Sequence, residues 1–342
     1  MTKQKLRMMK AVYSYFFPEV RNILREVQEK IPDELFSVSI PSTKSENALN
    51  SMLKKPIHWP KNEYGCIDLD EIHVPIIRRI VSIYSPVISG LSGFSFAYPT
   101  SGSSEGLFHL LTSLRTNGVD AIHVLEGEYE GYGAQAQNVG IRVVSHSIED
   151  ALTIAKPCYW FISNPSARDG NIIPDSFIQG LLKKNHKLVL DFAYVGTTRK
   201  HVFDANHPNI LAVVLSFSKP YGVFRFRMGG FLFTRGEIPS LYGNKWFKDV
   251  SRLIQALVLA ERIGPRKLHS IYGPIQKKIV QGINAAHGLS LRPSDSFLLA
   301  NCSLDAGKIK TELQPFIRGS RFRFCLTPYF EDIHSGNSPV KK

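Results

Sequence analysis

The chain has 342 residues, of which 43% are hydrophobic and 21% are charged. This balance is typical of a folded, enzyme-sized protein and excludes an intrinsically disordered chain. The formal net charge of +13 permits anionic partners, but the basic residues are scattered, so we predict no nucleic-acid partner.

The four cysteines lie far apart and form no Cys-x-x-Cys pair, which argues against a disulfide framework and against a zinc site. We therefore predict no metal and a reducing compartment. The basic start of the chain is followed by an apolar stretch that is too short and too interrupted for a signal peptide or a membrane-spanning helix. We expect a cytoplasmic protein without a membrane partner.

Short apolar runs alternate with helix-like segments along the middle of the chain. An N-terminal helix precedes this region, and residues 35–70, which join the two, have the composition of an irregular connection. From residue 93 to residue 235, runs rich in β-branched and aromatic residues predict a parallel or mixed sheet covered by helices. The predicted strands are residues 121–125, 141–144, 159–163, 188–191, 212–217 and 230–234.

The pattern changes beyond residue 245. A long helical stretch, broken by Gly264-Pro265, precedes a second helix and two separated strands. The helix is predicted at residues 248–262 and the strands at residues 297–301 and 321–326. We therefore predict an α/β fold with a large domain and a smaller α+β domain. The predicted domains are residues 55–262 (large) and residues 1–54 together with 263–342 (small).

A lysine stands where α/β proteins bind their ligands. Lys219 directly follows a predicted strand, which places it at the carboxyl edge of the sheet. A lysine there is a candidate Schiff-base nucleophile, although an exposed lysine at a strand end is the commoner explanation when no other clue is present. Two further clues are Arg227, eight residues later, and Asp191-Phe192-Ala193-Tyr194, which ends another apolar strand.

These motifs resemble those of the fold-type I pyridoxal-phosphate enzymes, in particular the aminotransferase class I/II family. That family has a serine three positions before the lysine, an arginine eight positions after it, and an upstream Asp-x-Ala-Tyr. The resemblance extends from about Tyr98 to Thr327. It implies a three-layer α/β/α large domain with a mixed, mostly parallel seven-stranded sheet, a smaller α+β domain, pyridoxal 5'-phosphate as cofactor, and a homodimer.

The resemblance implies a role for each residue around the ring of the cofactor. Lys219 forms the Schiff base and, once freed by the substrate, moves a proton between the substrate carbon and the cofactor carbon. Asp191 keeps the pyridinium nitrogen protonated, so that the ring withdraws electrons. Tyr194 donates a hydrogen bond to the phenolate oxygen, and Ala193 is small enough to let the ring lie flat.

The cofactor phosphate requires positive charge and hydrogen-bond donors. Ser103 and Ser104 open a predicted helix, whose first amides and dipole favour an anion. By itself this pattern usually marks a helix cap, but the stretch resembles the phosphate loop of the family. The remaining phosphate ligands that the resemblance implies are Ser216, Ser218 and Arg227. Arg225 is the alternative to Arg227, with a spacing from the lysine that fits less well.

One aromatic residue and one arginine complete the predicted site. Tyr129 occupies the position of the ring that stacks on the pyridine, with Tyr132 as a neighbouring alternative and a core tyrosine as the other interpretation. Arg323 matches the arginine that binds the substrate α-carboxylate through two parallel hydrogen bonds. We interpret Arg318 and Arg321 as surface charges.

One segment departs from the family. In Asn164-Pro165-Ser166-Ala167-Arg168-Asp169-Gly170, the second asparagine of the family's Asn-Pro-x-Asn-Pro-x-Gly motif is replaced by Ala167. That asparagine normally bonds the phenolate oxygen, so Tyr194 is left with more of this task and the reaction type is open to change. Asn164, the first asparagine of the motif, counts among the residues that the resemblance places at the cofactor, and we assign it mainly to loop structure. Tyr64 is the candidate for the partner tyrosine that reaches the phosphate in the family's homodimers.

The leading hypothesis is an aminotransferase that moves an amino group between an amino acid and a 2-oxo acid through a Lys219 Schiff base. The same fold also hosts amino-acid decarboxylases, β-lyases and aldolase-type enzymes, which stay open as alternatives. A pyridoxal-phosphate-binding regulatory protein is less favoured, because the residues before the phosphate loop contain no clear helix-turn-helix signal. The sequence leaves the amino donor and acceptor open.

Overall fold

The computed structural model describes residues 6–7, 15–32, 42–242, 249–304 and 311–334. Its helices are α1 (Pro18–Lys30), α2 (Ser42–Ser51), α3 (His73–Tyr84), α4 (Ser103–Thr116), α5 (Glu130–Asn138), α6 (Ile148–Ala151), α7 (Asp175–Lys183), α8 (Pro239–Tyr242), α9 (Val250–Arg262), α10 (Lys267–His287) and α11 (Phe330–His334). Its strands are β1 (Ile88–Ser89), β2 (Phe96–Thr100), β3 (Ala121–Leu125), β4 (Arg142–His146), β5 (Tyr159–Ser163), β6 (Lys187–Phe192), β7 (Phe203–Asp204), β8 (Ile210–Ser216), β9 (Gly230–Thr234), β10 (Arg292–Pro293), β11 (Leu299–Ser303), β12 (Ile317–Arg318) and β13 (Arg321–Cys325).

The main sheet has seven strands in the order β2-β9-β8-β6-β5-β3-β4. Strand β9 runs antiparallel to its neighbours β2 and β8, and the other pairs are parallel. The central strands β5, β6 and β8 are almost continuously buried, as expected for parallel strands covered on both faces. The predicted mixed, mostly parallel seven-stranded sheet is therefore confirmed.

Helices cover both faces of this sheet and form three layers. Successive strand residues point to opposite faces, so Val189 packs in the cluster with α4 while Leu188 and Leu190 pack in the cluster with α7 and α9. Helix α4 presents Leu107 and Leu111, one turn apart, to the first face. The α/β/α arrangement follows from this alternation.

A second sheet, antiparallel, has the order β10-β11-β13-β12. Its buried residues, such as Leu299 and Phe324, share one core cluster with α9 and α10. This sheet matches the predicted smaller α+β unit, with β11 shifted two residues toward the carboxyl terminus relative to the prediction. The proposed domain boundaries themselves stay a prediction.

Two expectations about local structure need correction. The segment predicted to be an irregular connection contains helix α2, whereas residues 33–41 lie outside the described ranges. The long helix predicted from residue 248 starts at Val250, where Asp249 accepts a hydrogen bond from the Arg252 amide (2.9 Å) and so acts as its N-cap. Strand β2 was not predicted, because Pro99 interrupts its apolar pattern.

Among the described helices, none is both long and apolar enough to cross a bilayer.

Candidate active site

Three neighbouring parallel strands place their carboxyl ends together. Ser163 at the end of β5 pairs with Asp191 of β6, and Asp191 pairs with Val214 near the end of β8. Lys219 follows β8 by three residues and is the first residue of a turn in which the Gly222 amide donates a hydrogen bond to the Lys219 carbonyl (3.3 Å). The acid and the lysine that the sequence singled out are thus brought to one edge of the sheet.

Asp191 is a buried carboxylate, with 3% of its surface exposed. Tyr132 Oη donates a hydrogen bond to its Oδ2 (2.9 Å), and the Ala193 amide donates one to its Oδ1 (2.9 Å). Burial raises the pKa of Asp191, while the Lys219 charge and then these hydrogen bonds lower it. A dry carboxylate held by two donors is suited to face a cationic ring nitrogen.

Lys219 lies against two aromatic rings. Its Nζ is 3.9 Å from the centroid of the Tyr194 ring and 5.8 Å from that of the Tyr129 ring. The faces of these rings attract the ammonium group and fix its direction. Lys219, Tyr194 and Tyr129, which the sequence assigned to one site, are therefore together in the structure.

The start of α4 and Arg227 form a cradle for an anion. Gly102, the N-cap residue of α4, has a φ of 153°, and a Cβ there would lie 3.0 Å from Nη2 of Arg227. The guanidinium group therefore lies against Gly102, at the start of α4, where any side chain at residue 102 would crowd it. A helix N-terminus together with an arginine is a site for phosphate. Arg225, the rival for this role, is exposed on a short 3₁₀ helix.

Ser218 offers a hydrogen-bond donor to an anion. Its Oγ is buried and, within the described residues, has no hydrogen-bond partner. Buried hydroxyl groups are nearly always satisfied, so an unpaired one beside the lysine indicates a missing acceptor. Ser216 Oγ accepts a hydrogen bond from the backbone amide of Ser218 (3.3 Å) and so orients Ser218. These donors, the buried acid and the lysine fit pyridoxal phosphate.

The two tyrosines have different roles. Tyr129 is half-buried, beside Lys219, and its Oη lies 3.1 Å from Ser104 Oγ, which fits a ring that covers the cofactor. Tyr132 is buried, and burial raises its pKa well above the usual value, so it stays a donor to Asp191. The sequence did not reveal this supporting role, although a spacing of three residues on a helix places both rings on one side.

Asn164 serves the loop, as expected. Its backbone amide donates a hydrogen bond to the Asp191 carbonyl (3.0 Å), and its side-chain Oδ1 accepts a hydrogen bond from the Ile173 amide (2.9 Å). Ala167 is buried and offers no side-chain donor. The substitution at residue 167 therefore leaves Tyr194 as the predicted partner of the phenolate oxygen.

Glu128 is a buried acid that the sequence analysis did not single out. Its carboxylate accepts hydrogen bonds from the Ser163 and Ser166 hydroxyl groups. Ser163 Oγ in turn accepts the Ala167 amide (2.6 Å). Burial raises the pKa of Glu128 to about 7, against the lowering effect of the two serines. Nothing in its sequence context separates it from an exposed glutamate.

The arginines of the small sheet differ from one another. Arg323 Nη1 donates to the Ala167 carbonyl (2.6 Å), so this side chain reaches the loop beside the cofactor site, as its predicted role requires. Arg321 bonds Ser303 (3.1 Å) at the surface, as expected. Arg318 is not a surface charge: its side chain is 12% exposed and pairs with Glu130 (2.6 Å).

Tyr64, the candidate partner tyrosine, is 80% exposed. It lies in a tight loop in which Asn62 Oδ1 accepts the amides of Tyr64 (3.1 Å) and Cys66 (3.0 Å). Its role stays a prediction.

Across the described ranges, no group of three or more His, Cys, Asp or Glu side chains is arranged so that it could hold a metal ion.

A buried acid near a lysine, beside a helix N-terminus and an arginine at the carboxyl edge of a mixed sheet, is an arrangement that fits the enzymes that use pyridoxal phosphate. The sequence profile of the family described as aminotransferase class I and II matches residues 97–272, more than half of the chain. The chain belongs to this family, and its cofactor is pyridoxal 5'-phosphate. A comparison with curated protein sequences gave no match.

Solved structures have the same fold. An aminotransferase from Staphylococcus aureus aligns with a TM-score of 0.67 at 13% identity, over 97% of this chain and 92% of that one. Aspartate aminotransferase from Thermus thermophilus with maleate aligns with a TM-score of 0.61 at 13% identity, over 96% and 98%. L-threonine-O-3-phosphate decarboxylase from Porphyromonas gingivalis aligns with a TM-score of 0.61 at 14% identity, over 91% of each. These likenesses establish the fold.

Proposed function

We propose that the protein is an aminotransferase that moves an amino group between an amino acid and a 2-oxo acid. The observation that carries the proposal is the joint placement of Lys219, Asp191, Arg227 and Arg323. Family membership and the aminotransferases among the similar structures support it. One arginine serves the cofactor phosphate, the other serves a substrate carboxylate, and the lysine and acid serve the reaction between them.

Bound pyridoxal phosphate supplies an aldehyde that captures amino groups and a ring that withdraws electrons from the substrate carbon. The residues of the chain perform the remaining tasks. Lys219 Nζ would hold the cofactor aldehyde until the amino group of the substrate displaces it, and the freed amine would then carry a proton between the substrate α-carbon and the cofactor carbon. Asp191, held by Tyr132, keeps a proton on the ring nitrogen, and Tyr194 donates to the phenolate oxygen.

Other reactions of the fold stay as alternatives, since the choice depends on which substrate bond lies perpendicular to the ring. Decarboxylation is the alternative with a specific observation behind it. Ala167 removes a donor that the family uses, and one of the similar structures is a decarboxylase. Against it, the role predicted for Arg323 is to hold the α-carboxylate as a ligand, and its hydrogen bond to the Ala167 carbonyl supports a position near the site.

A spectrophotometric screen tests the proposal. Amino acids are added one at a time to cofactor-loaded protein, and the visible absorbance of the bound cofactor is followed. An aminotransferase loses this absorbance stoichiometrically as pyridoxamine phosphate forms, and a 2-oxo acid restores it. Release of carbon dioxide or ammonia with the absorbance retained would reject transamination and leave the cofactor assignment intact.

We also propose that two copies of the chain form the active unit, with Tyr64 of one copy completing the phosphate site of the other. The exposure of Tyr64 supports this proposal. Mixing a Lys219→Ala variant with a Tyr64→Phe variant tests it: because a hybrid dimer contains one site with neither defect, activity should rise above that of either variant alone. A monomer in sedimentation would refute the proposal.

A further inference from the structure

Glu128 joins two hydroxyl groups of the loop that follows β5. Its Oε2 accepts a hydrogen bond from Ser163, the last residue of that strand, and its Oε1 accepts one from Ser166. The three residues are buried, with exposed fractions of 6% or less. Little water can therefore compete for these bonds, and hydrogen bonds to a charged group are strong in such surroundings.

The two serine hydroxyl groups connect Glu128 to the backbone of the loop. Ser163 Oγ accepts a hydrogen bond from the Ala167 amide (2.6 Å), and Ser166 Oγ accepts one from the Arg168 amide (3.2 Å). A hydroxyl group has one hydrogen of its own to donate. Each serine thus receives an amide hydrogen and donates its own hydrogen to Glu128. This direction of bonding suits a carboxylate that carries no proton.

A proton on Glu128 would reverse one of these bonds. A protonated carboxyl group donates its hydrogen, and the two serine oxygens are the acceptors that it contacts. The hydroxyl hydrogen of that serine then loses its buried acceptor, which costs free energy, and its oxygen has to serve two donors. The charge of Glu128 therefore affects how firmly the loop is held.

This charge changes close to neutral pH. Burial raises the pKa of Glu128 to about 7, against the lowering effect of the two serines and of Arg168. Asp169 raises the pKa further, but its carboxylate is paired with Arg168 (3.1 Å). From α5, Tyr132 faces Glu128 as a neutral phenol, because burial and nearby acids raise its own pKa well above the usual value.

The loop held by Glu128 also contacts Arg323. The amide of Ala167 is bonded to Ser163, and the carbonyl of Ala167 accepts a hydrogen bond from Arg323 Nη1 (2.6 Å). Further along the loop, the Asp169 carbonyl accepts a hydrogen bond from Ser294 Oγ (2.5 Å), which fixes that end independently. A change at Glu128 should therefore be felt mainly in the middle of the loop, where Arg323 is bonded.

We propose that Glu128 is a positioning residue for the substrate: its carboxylate holds the loop at Ala167 and thereby aims Arg323, so that loss of this charge weakens substrate binding. The proposal rests on the proposed function, in which Arg323 binds the α-carboxylate. It also gives a reason for a buried charge, since an ionised carboxylate in an apolar region costs stability. Glu128 acts through the loop and touches neither the substrate nor the cofactor.

Binding of butyrate, an unreactive carboxylate, tests the proposal without turnover. Its dissociation constant is measured from the visible absorbance of the cofactor-loaded protein at pH 6, 7 and 8, for the wild type and for Glu128→Gln. The two constants are compared at each pH, so that other titrations common to both proteins cancel. The ratio of variant to wild type should rise from about 1 at pH 6 to about 10 at pH 8, because only the wild type gains a carboxylate. An equal ratio at every pH would overturn the proposal and leave the transamination test unaffected.

Steady-state kinetics separate positioning from a general defect. For an amino acid that the protein transaminates, Glu128→Gln should raise KM about tenfold at pH 8, with kcat and cofactor affinity nearly unchanged. Glu126→Gln, which removes an exposed carboxylate from the same segment, is the control and should change none of these quantities. A loss of cofactor affinity as large as the rise in KM would place Glu128 at the cofactor and contradict the proposal.

Two further variants test the path from Glu128 to the loop. Ser163→Ala removes the link to the Ala167 amide and should weaken butyrate binding at pH 8 by a similar factor. Adding Glu128→Gln to Ser163→Ala should then cause little further loss, because both changes break one path. Full additivity of the two losses would refute this path. Glu128→Asp retains the charge and should restore part of the pH dependence that Glu128→Gln abolishes, whereas a purely structural role predicts no such difference.

Discussion

Replacing Glu128 by glutamine should change how the stability of the protein depends on pH. Burial raises the pKa of this acid from 4.5 to about 7 in the folded chain. Between these pH values the folded protein retains a proton that the unfolded chain releases, so stability falls as pH rises through this window. A difference of about 2.5 pKa units corresponds to about 3 kcal/mol.

The glutamine variant keeps the shape of the side chain but removes the titration. The free energy of unfolding is measured by urea denaturation of the cofactor-free protein at pH 5, 6, 7 and 8. The variant should gain stability relative to the wild type as pH rises, by about 2–3 kcal/mol between pH 5 and pH 8. Glu130→Gln, which removes the same charge at an exposed position, is the control and should give no such gain. Parallel curves for the wild type and Glu128→Gln would refute the reasoning.

Three other substitutions test individual contacts. Tyr132→Phe removes a donor from the buried Asp191 carboxylate and should lower kcat roughly tenfold to hundredfold, with the cofactor still bound; an unchanged kcat would contradict the role of Tyr132. Arg227→Ala should weaken cofactor binding by a similar factor in a dialysis assay, whereas Arg225→Ala, at an exposed position, should not. Gly102→Ala should also weaken cofactor binding, because its Cβ would displace the Arg227 guanidinium; retention of full affinity would show that the cradle is not the phosphate site.

Site residues that belong to motifs with a fixed spacing along the chain could be predicted from the sequence. Asp191 and Lys219 lie at or just after the ends of the parallel strands β6 and β8, which brings them to one edge of the sheet. Arg227 precedes β9, which is antiparallel to β8 and therefore starts at that same edge. The central strands were predicted well because their apolar runs are bounded by turn residues. Strand β2 was missed, since a proline within an edge strand masks the pattern.

Residues whose roles depend on tertiary packing could not be predicted. Glu128 and Glu130 stand two positions apart in one short segment, yet the first is buried between two serine hydroxyl groups and the second is exposed. Arg318 and Arg321 have similar neighbours in sequence, yet the Arg318 side chain pairs with Glu130 whereas the Arg321 side chain bonds Ser303. The domain boundaries, the homodimer and the cytoplasmic location stay predictions.

The central claim is that Lys219 holds the cofactor covalently. Reduction of the loaded protein with borohydride, followed by proteolysis and mass mapping, tests it most directly. We expect one peptide to carry the mass of a phosphopyridoxyl group, with the modification at Lys219, and none in a Lys219→Ala variant. A modification at another lysine, or no modified peptide from protein that contains the cofactor, would contradict the account.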